Sequence, residues 1–363
     1  VIRNKIIFIV YTFFACQPFF VCAKKILLTG GAGFIGSHVA QALLNRGDDV
    51  VIIDNMNDGY SLAIKNRNIE IIKKSDVLNK LRIYIDDICD VEAMESIFNV
   101  EKPDVVCHLA ARAGVRTSIE NPYEFIRSNS LGTVVMLEMA HKFNVRHVVC
   151  ASSSSVYGDR LTGLFSEQDS CDKQSSPYGA TKRMSELLAY VYHHLYGISI
   201  TNLRFFTVYG PRGRVDMAPF IFMDAIHNDK VITVYGDGSA IRDFTYVDDI
   251  VDGIIKAIDN SAGYQILNLG RGQAIILSDF IAIMENVVRK KAVIQYAMNF
   301  LGDVPRTHAD IAKAQALIGY KPLVSIDYGL AKMYEWYKSE YVYINPGIKR
   351  GISCEVNTSV CYI

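Results

Sequence analysis

The chain has 363 residues, half of them apolar, with 38 Lys and Arg balanced by 38 Asp and Glu. That length suffices for a large core and two lobes, and zero net charge leaves nucleic acid and acidic surfaces without a basic face to bind. Its eight cysteines show no paired metal spacing, so no metal site is expected, and neither a repeat nor a low-complexity linker divides the chain.

Ile6 to Ala23 is largely apolar, follows Arg3 and Lys5, and ends Val21-Cys22-Ala23. A signal, an anchor and added upstream sequence are the three readings of this segment; Gln17 and Pro18 weaken it as a span. Because the fold starts at Lys25 with no stem, the expectation is a cytoplasmic enzyme with an extension over 1–23, membrane contact being confined to that segment.

Lys24 to Thr29 reads as a short buried strand, followed by Gly30-Gly31-Ala32-Gly33-Phe34-Ile35-Gly36 and an apolar-periodic helix to about Asn45. A glycine turn between strand and helix lets the backbone approach a pyrophosphate and aims helix N-terminal amides at it. Asp54 ends the second strand, Asp49 to Ile53, where a carboxylate accepts hydrogen bonds from an adenosine ribose and repels a 2′-phosphate. NAD is therefore expected rather than NADP. Further strands end at Leu81 to Ile85, before Asp86-Asp87-Ile88, and at Asp104 to His108, before Leu109-Ala110-Ala111. Asp87 and Ile88 are placed to hold an adenine, and the small Ala110 and Ala111 let the chain pass close to a cofactor. His108 reads as a satisfied strand-end histidine. Cys107 and Cys150 fall in strands expected to be buried, which favours a reducing compartment.

Strands alternate with helices to about Arg204, which makes a doubly wound parallel α/β sheet the natural fold. The fifth strand runs into the serines Ser152 to Ser155, ahead of Val156-Tyr157-Gly158. Pro177 suits a first helical turn and Gly197 a helix stop, so Tyr178 and Lys182 share one helical face. An ammonium beside a phenol favours phenolate, which makes Tyr178 a candidate base. Such pairs are common on amphipathic helices; the glycine turn and Asp54 upstream are what give this one chemical meaning.

These motifs, with Arg242-Asp243-Phe244-Thr245-Tyr246-Val247-Asp248-Asp249, resemble the extended short-chain dehydrogenase/reductases that act on nucleotide sugars. The resemblance runs from Lys24 to Tyr343. Ala113-Gly114-Val115-Arg116-Thr117-Ser118, Leu203 to Pro211 and Gly213-Arg214-Val215-Asp216-Met217-Ala218 are similar to the UDP-glucuronate 4-epimerase branch.

The resemblance implies a Rossmann-type NAD lobe over 24–209 plus 241–263, a smaller α/β UDP-sugar lobe over 210–240 plus 264–343, and a tail from 344. It also implies reversible C4 epimerisation through a 4-keto sugar with tightly bound NAD. Tyr178 is then the base, Lys182 the nicotinamide-ribose ligand and Ser153 the C4-oxygen partner. Phe34, Ile35 and Asn129 join Gly30, Gly33, Gly36, Asp54, Asp87, Ile88, Leu109, Ala110 and Ala111 as cofactor contacts. Ser154, Ser155, Thr207 and Arg214 match the pocket for the C6 carboxylate, Arg116 and Arg242 suit UDP phosphates, and Asp303 the uridine ribose. The competing readings are a polar loop for the serines, a strand-end cap for Thr207, a solvated arginine for Arg116 and a loop carboxylate for Asp303.

Sugar dehydratases and decarboxylases of the superfamily place acids before the Val-Tyr-Gly, where this chain has Ser154 and Ser155. A 4-keto-glucuronate is a β-keto acid, and hydroxyls hold its carboxylate without supplying a proton for its loss. Phe300 stands where UDP-galactose 4-epimerases carry an arginine for the diphosphate, which argues against that activity. Helices near Pro122 to Phe143 and Tyr178 to Tyr196 match the homodimer pair of relatives, or simply cover the sheet. The alternatives are a 4-epimerase of another UDP-sugar and a non-catalytic NAD-binding protein; a sensor has no need of the tyrosine, lysine and serine set. Asn357-Thr358-Ser359 formally matches a glycosylation acceptor.

Overall fold

The structure, a computed structural model, describes residues 23–298 and 304–344. The N-terminal apolar segment before Ala23, Phe300, Asp303 and the tail with Asn357 lie outside the described residues. Six strands open the sheet in chain order: β1 Lys25–Thr29, β2 Asp49–Ile53, β3 Leu81–Tyr84, β4 Val105–His108, β5 His147–Ser153 and β6 Ser199–Phe205. With Tyr264–Leu269 they form a seven-stranded sheet ordered β3-β2-β1-β4-β5-β6 and then Tyr264–Leu269, each neighbouring pair parallel.

Strand residues alternate between two buried faces. Ile26, Leu28, Val50, Ile52, Val105 and Cys107 enter one core cluster, while Leu27, Val51, Ile53, Val106, Val148 and Cys150 enter the other. Helix α1 (Phe34–Arg46), α2 (Leu62–Ser75) and Val247–Asp259 supply the first layer; α3 (Val91–Glu101), Gly132–Lys142 and Pro177–Tyr196 supply the second. Burial on both sides explains why these strands read as continuous apolar runs, since each fully buried Val, Leu or Ile is worth about 1.5–3 kcal/mol.

Order along the sheet reverses between β1 and β4, and this is where a doubly wound fold opens its ligand crevice. The boundary expected at residue 263 is displaced: Tyr264–Leu269 hydrogen-bonds to β6 and extends the main sheet. Beyond that sheet lie three small pairs, Thr207–Tyr209 with Phe244–Tyr246, Ile241–Arg242 with Ile275–Ile276, and Val231–Tyr235 with Val293–Ala297.

The helix expected near Pro122 to Phe143 forms as Pro122–Phe125, a π-helical turn Ile126–Leu131 and Gly132–Lys142. The rod packs closely at Gly132, where an added Cβ would lie 2.5 Å from Ile88. Among the described residues no helix is long and apolar enough to cross a membrane.

Candidate active site

The glycine turn is built by contact. Gly30 has φ +72, and a Cβ on it would sit 2.9 Å from the backbone of Ala110; one on Gly36 would sit 2.1 Å from the Gly30 carbonyl oxygen. The loops after β1 and β4 thus touch, leaving a cleft lined by Gly30, Gly33, Phe34, Ile35 and Gly36 on one side and Leu109, Ala110 and Ala111 on the other. Thr29 ties the two strand ends together: its hydroxyl accepts from the Ala110 N–H (3.1 Å) and bonds His108 Nδ1 (2.8 Å). His108 Nε2 reaches Thr133 (3.2 Å), and burial, then the Lys182 charge, pulls the imidazole down to about 3. It is the satisfied, neutral histidine expected at a strand end.

Asp54, Asp87 and Ile88 line the same cleft. Asp54 accepts from the N–H groups of Ala32 (3.1 Å) and Met56 (2.9 Å) and pairs with Lys65 at 3.0 Å. Lys65 makes the site locally neutral, so repulsion of a 2′-phosphate is weaker than a lone carboxylate would give. Burial pushes the Asp87 carboxyl up, but the Cys89 N–H and Arg127 outweigh it and leave the group below its ordinary range.

Asn129 is held by protein partners. Its Oδ1 accepts from Arg112 N–H (2.8 Å), and its Nδ2 donates to the Arg112 carbonyl (3.0 Å) and Thr181 (3.0 Å). With its amide occupied by protein partners and its side chain buried, it clasps the loop after β4 to the long helix and does not line the cleft.

Ser176 caps helix Pro177–Tyr196 by accepting from Gly179 N–H, and Gly197 ends it at φ +70. Tyr178 donates its N–H to Ser118 (3.1 Å), packs edge-on against Phe125, and lines the cleft with Lys182. Lys182 Nζ donates to the Ala151 carbonyl at 2.8 Å, and burial drops its pKa to about 8. The electrostatics depart from the simple pair: burial raises the phenol, while a hydrogen bond with Ser153 and the charge of Arg214 lower it. The opposing cation identified here is Arg214, because the Lys182 ammonium is directed at a backbone carbonyl.

The strand-end serines divide by position. Ala151 and Ser152 line the cleft, Ser153 reaches the Tyr178 phenol, and Ser154 and Ser155 enter a 3₁₀ turn, Ser154–Tyr157. There the Ser155 N–H donates to the Ser153 hydroxyl at 3.1 Å. Arg214 lines the cleft, paired with Asp216 at 2.5 Å and donating to the Ala113 carbonyl at 3.1 Å. Arg116 is buried with its guanidinium over the Tyr235 ring, Arg242 is buried and donates to the Ile241 carbonyl, and Thr207 donates its N–H to the Asp243 carbonyl. None of these three lines the cleft, and neither do Ser154 and Ser155.

Sequence reasoning passed over Lys65, Arg112, Ser152 and Asp216, all of which line the cleft. Asp216, two residues after Arg214, was the legible one; Lys65 becomes a partner of Asp54 only once α2 packs against the end of β2.

A glycine-turn crevice at the reversal point of a parallel sheet, with a half-buried tyrosine and a buried lysine in its wall, defines a dinucleotide-dependent α/β enzyme. A sequence profile described as the NAD dependent epimerase/dehydratase family matches residues 26–270. The chain belongs to that family.

It is similar to UDP-glucuronate 4-epimerase of Thermodesulfobacterium geofontis, 44% identical over 313 residues that cover 86% of this chain and 95% of the relative. UDP-glucuronate 4-epimerase 4 of Arabidopsis thaliana is 42% identical, over 87% of this chain and 76% of the relative. Among solved structures, UDP-glucuronic acid 4-epimerase from Bacillus cereus, in complex with UDP-glucuronic acid and NAD, superposes with TM-score 0.81 at 36% identity, over 86% of this chain and 99% of that one. UDP-glucose 4-epimerase from Thermotoga maritima, with UDP-glucose, gives TM-score 0.79 at 30% identity, over 87% and 99%.

Proposed function

We propose that this protein interconverts UDP-glucuronate and UDP-galacturonate by epimerisation at C4, with NAD as a resident cofactor. The observation that carries this reading is the half-buried Tyr178 phenol, four residues before the buried Lys182 in the wall of a dinucleotide crevice that also contains Arg214. The names of the relatives support the same substrate.

The crevice fits NAD: its glycines leave no room for a Cβ, and α1 presents its N-terminal amides beside them. Gly30, Gly33, Phe34, Ile35 and Gly36 hold the pyrophosphate, Asp54 the adenosine ribose, and Asp87 with Ile88 the adenine. Leu109, Ala110 and Ala111 form the opposite wall. Lys182 gives one of its three donors to Ala151 and keeps the others for the nicotinamide ribose. When bound, NAD would supply a reversible hydride acceptor for C4 of the sugar.

The protein's own part is proton transfer and restraint. Ser153 orients the C4 oxygen and Tyr178 removes its proton, then restores it. Arg214 pairs with the C6 carboxylate, with Ser154, Ser155 and Thr207 completing that pocket; hydroxyls there give the β-keto acid no proton donor for decarboxylation. Arg116 and Arg242 take the UDP phosphates, and Asp303 the uridine ribose. The UDP-sugar side comprises 210–240 and the chain after Leu269.

The enzyme works as a cytoplasmic homodimer through the helices Pro122–Lys142 and Pro177–Tyr196. Leu187, Val191 and Leu195 are each between 45% and 60% exposed on the second of these, an apolar face suited to a second copy of the chain.

Purified protein incubated separately with UDP-glucuronate and UDP-glucose, with products resolved by NMR, tests the assignment. UDP-galacturonate forms from the first, the second turns over little, and no UDP-pentose appears. Preferred conversion of UDP-glucose would overturn it.

A further inference from the structure

Behind the reacting pair lies a third residue of the same helical face. Glu186 follows Lys182 by four positions and Tyr178 by eight, so all three point toward the end of β5. The three residues that end that strand each meet one of them. Ala151 accepts from Lys182 at 2.8 Å, Ser152 donates to Glu186 at 2.6 Å, and Ser153 faces the Tyr178 phenol and acts to lower its pKa. We propose that Glu186 is a positioning residue for the reaction, fixing the strand end that carries Ser153 and supplying the negative charge behind Lys182. The inference rests on Tyr178 and Lys182 being the reacting pair.

Glu186 is fully buried and never touches the cleft. Arg204 on β6 grips its carboxylate with two bonds of 2.8 Å, and Arg183 adds a third at 3.0 Å. Arg204 is itself held, its guanidinium lying 4.7 Å over the ring of Tyr157, whose hydroxyl donates to Asn268 at 2.7 Å. A buried ion pair adds little net stability over an apolar core of the same shape, so stability is a weak reason for placing one here. Its location is informative: it locks β5, β6 and the long helix together one residue from Ser153.

Among the described residues, the other titratable groups facing Lys182 are His108 from β4 and Cys150 from β5. Burial holds the imidazole down to about 3 and the thiol up to about 12, so both are uncharged near neutrality. Tyr264 and Cys171, which face Glu186, are likewise pushed up by burial and neutral. Glu186 is then the carboxylate acting on the ammonium, and Arg204 and Arg183 hold it ionised. Replacing it with a neutral amide removes that attraction and leaves the Arg204 charge opposing the ammonium, so Lys182 loses its proton at lower pH.

The test is the pH dependence of kcat for wild type, Glu186→Gln, Glu186→Asp and Ser152→Ala, with bound NAD quantified for each. Glu186→Gln should retain NAD and shift the alkaline limb down by about one pH unit, the scale of a lost opposite charge nearby; Glu186→Asp should restore the limb. Ser152→Ala keeps the charge but frees the strand end, so kcat falls roughly tenfold with the limb unmoved. An unmoved limb in Glu186→Gln, or wild-type kcat in Ser152→Ala, overturns the proposal; should Glu186→Gln not fold, Ser152→Ala decides. Tyr178→Phe assayed in parallel separates the two readings. Turnover by that variant removes Tyr178 as base, whereas its loss alongside an unmoved Glu186→Gln limb removes only the role of Glu186.

Discussion

Burial keeps the Tyr178 phenol protonated more firmly than a free tyrosine, and Ser153 and Arg214 act against that effect. The same burial brings Lys182 to about 8, so the ammonium is present at neutral pH and is lost just above it. Activity should accordingly decline above about pH 8. Replacing Tyr178 with Phe removes the proposed proton acceptor and leaves the glycine turn intact. General-base catalysis is worth about 10²–10⁴-fold, so kcat should drop by that order while the NAD released on denaturation stays at the wild-type level. Epimerisation at the wild-type rate would exclude Tyr178.

At the scale of elements, the crevice depends on how closely β1, β4 and α1 approach one another. A methyl group at Gly36 would meet the Gly30 carbonyl oxygen at 2.1 Å, a backbone atom unable to move aside. Overpacking of this kind costs about 1–3 kcal/mol, and each 1.4 kcal/mol is roughly tenfold in affinity. Gly36→Ala should therefore purify with about a tenth of the wild-type NAD or less, measured by absorbance after denaturation. The turn was legible because glycine spacing and flanking periodicity are local. The π turn at Ile126–Leu131 was not: nothing local in the sequence shows that packing sets the Asn129 amide against Arg112 and Thr181.

For the whole molecule, parallel order followed from strands that are apolar on both faces. The boundary past β6 was missed because Tyr264 to Leu269 gives no local sign of whether it starts a new lobe or extends the old sheet; its pairing with β6 decides that. The candidate site divides in the same way. Tyr178, Lys182, Asp54 and the glycines announce themselves by type and spacing, whereas Lys65, Arg112 and Ser152 acquire meaning only from partners distant in sequence. The helix Pro177–Tyr196 exposes the apolar side chains of Leu187, Val191 and Leu195.

In this mechanism hydrogen leaves C4 as hydride and returns to the same carbon without mixing with water. UDP-glucuronate carrying deuterium at C4, incubated with the purified enzyme in ordinary water and followed by NMR, tests it directly. UDP-galacturonate that keeps deuterium at C4 is expected, with no label lost to solvent and no UDP-pentose. Product carrying ordinary hydrogen at C4 would contradict it.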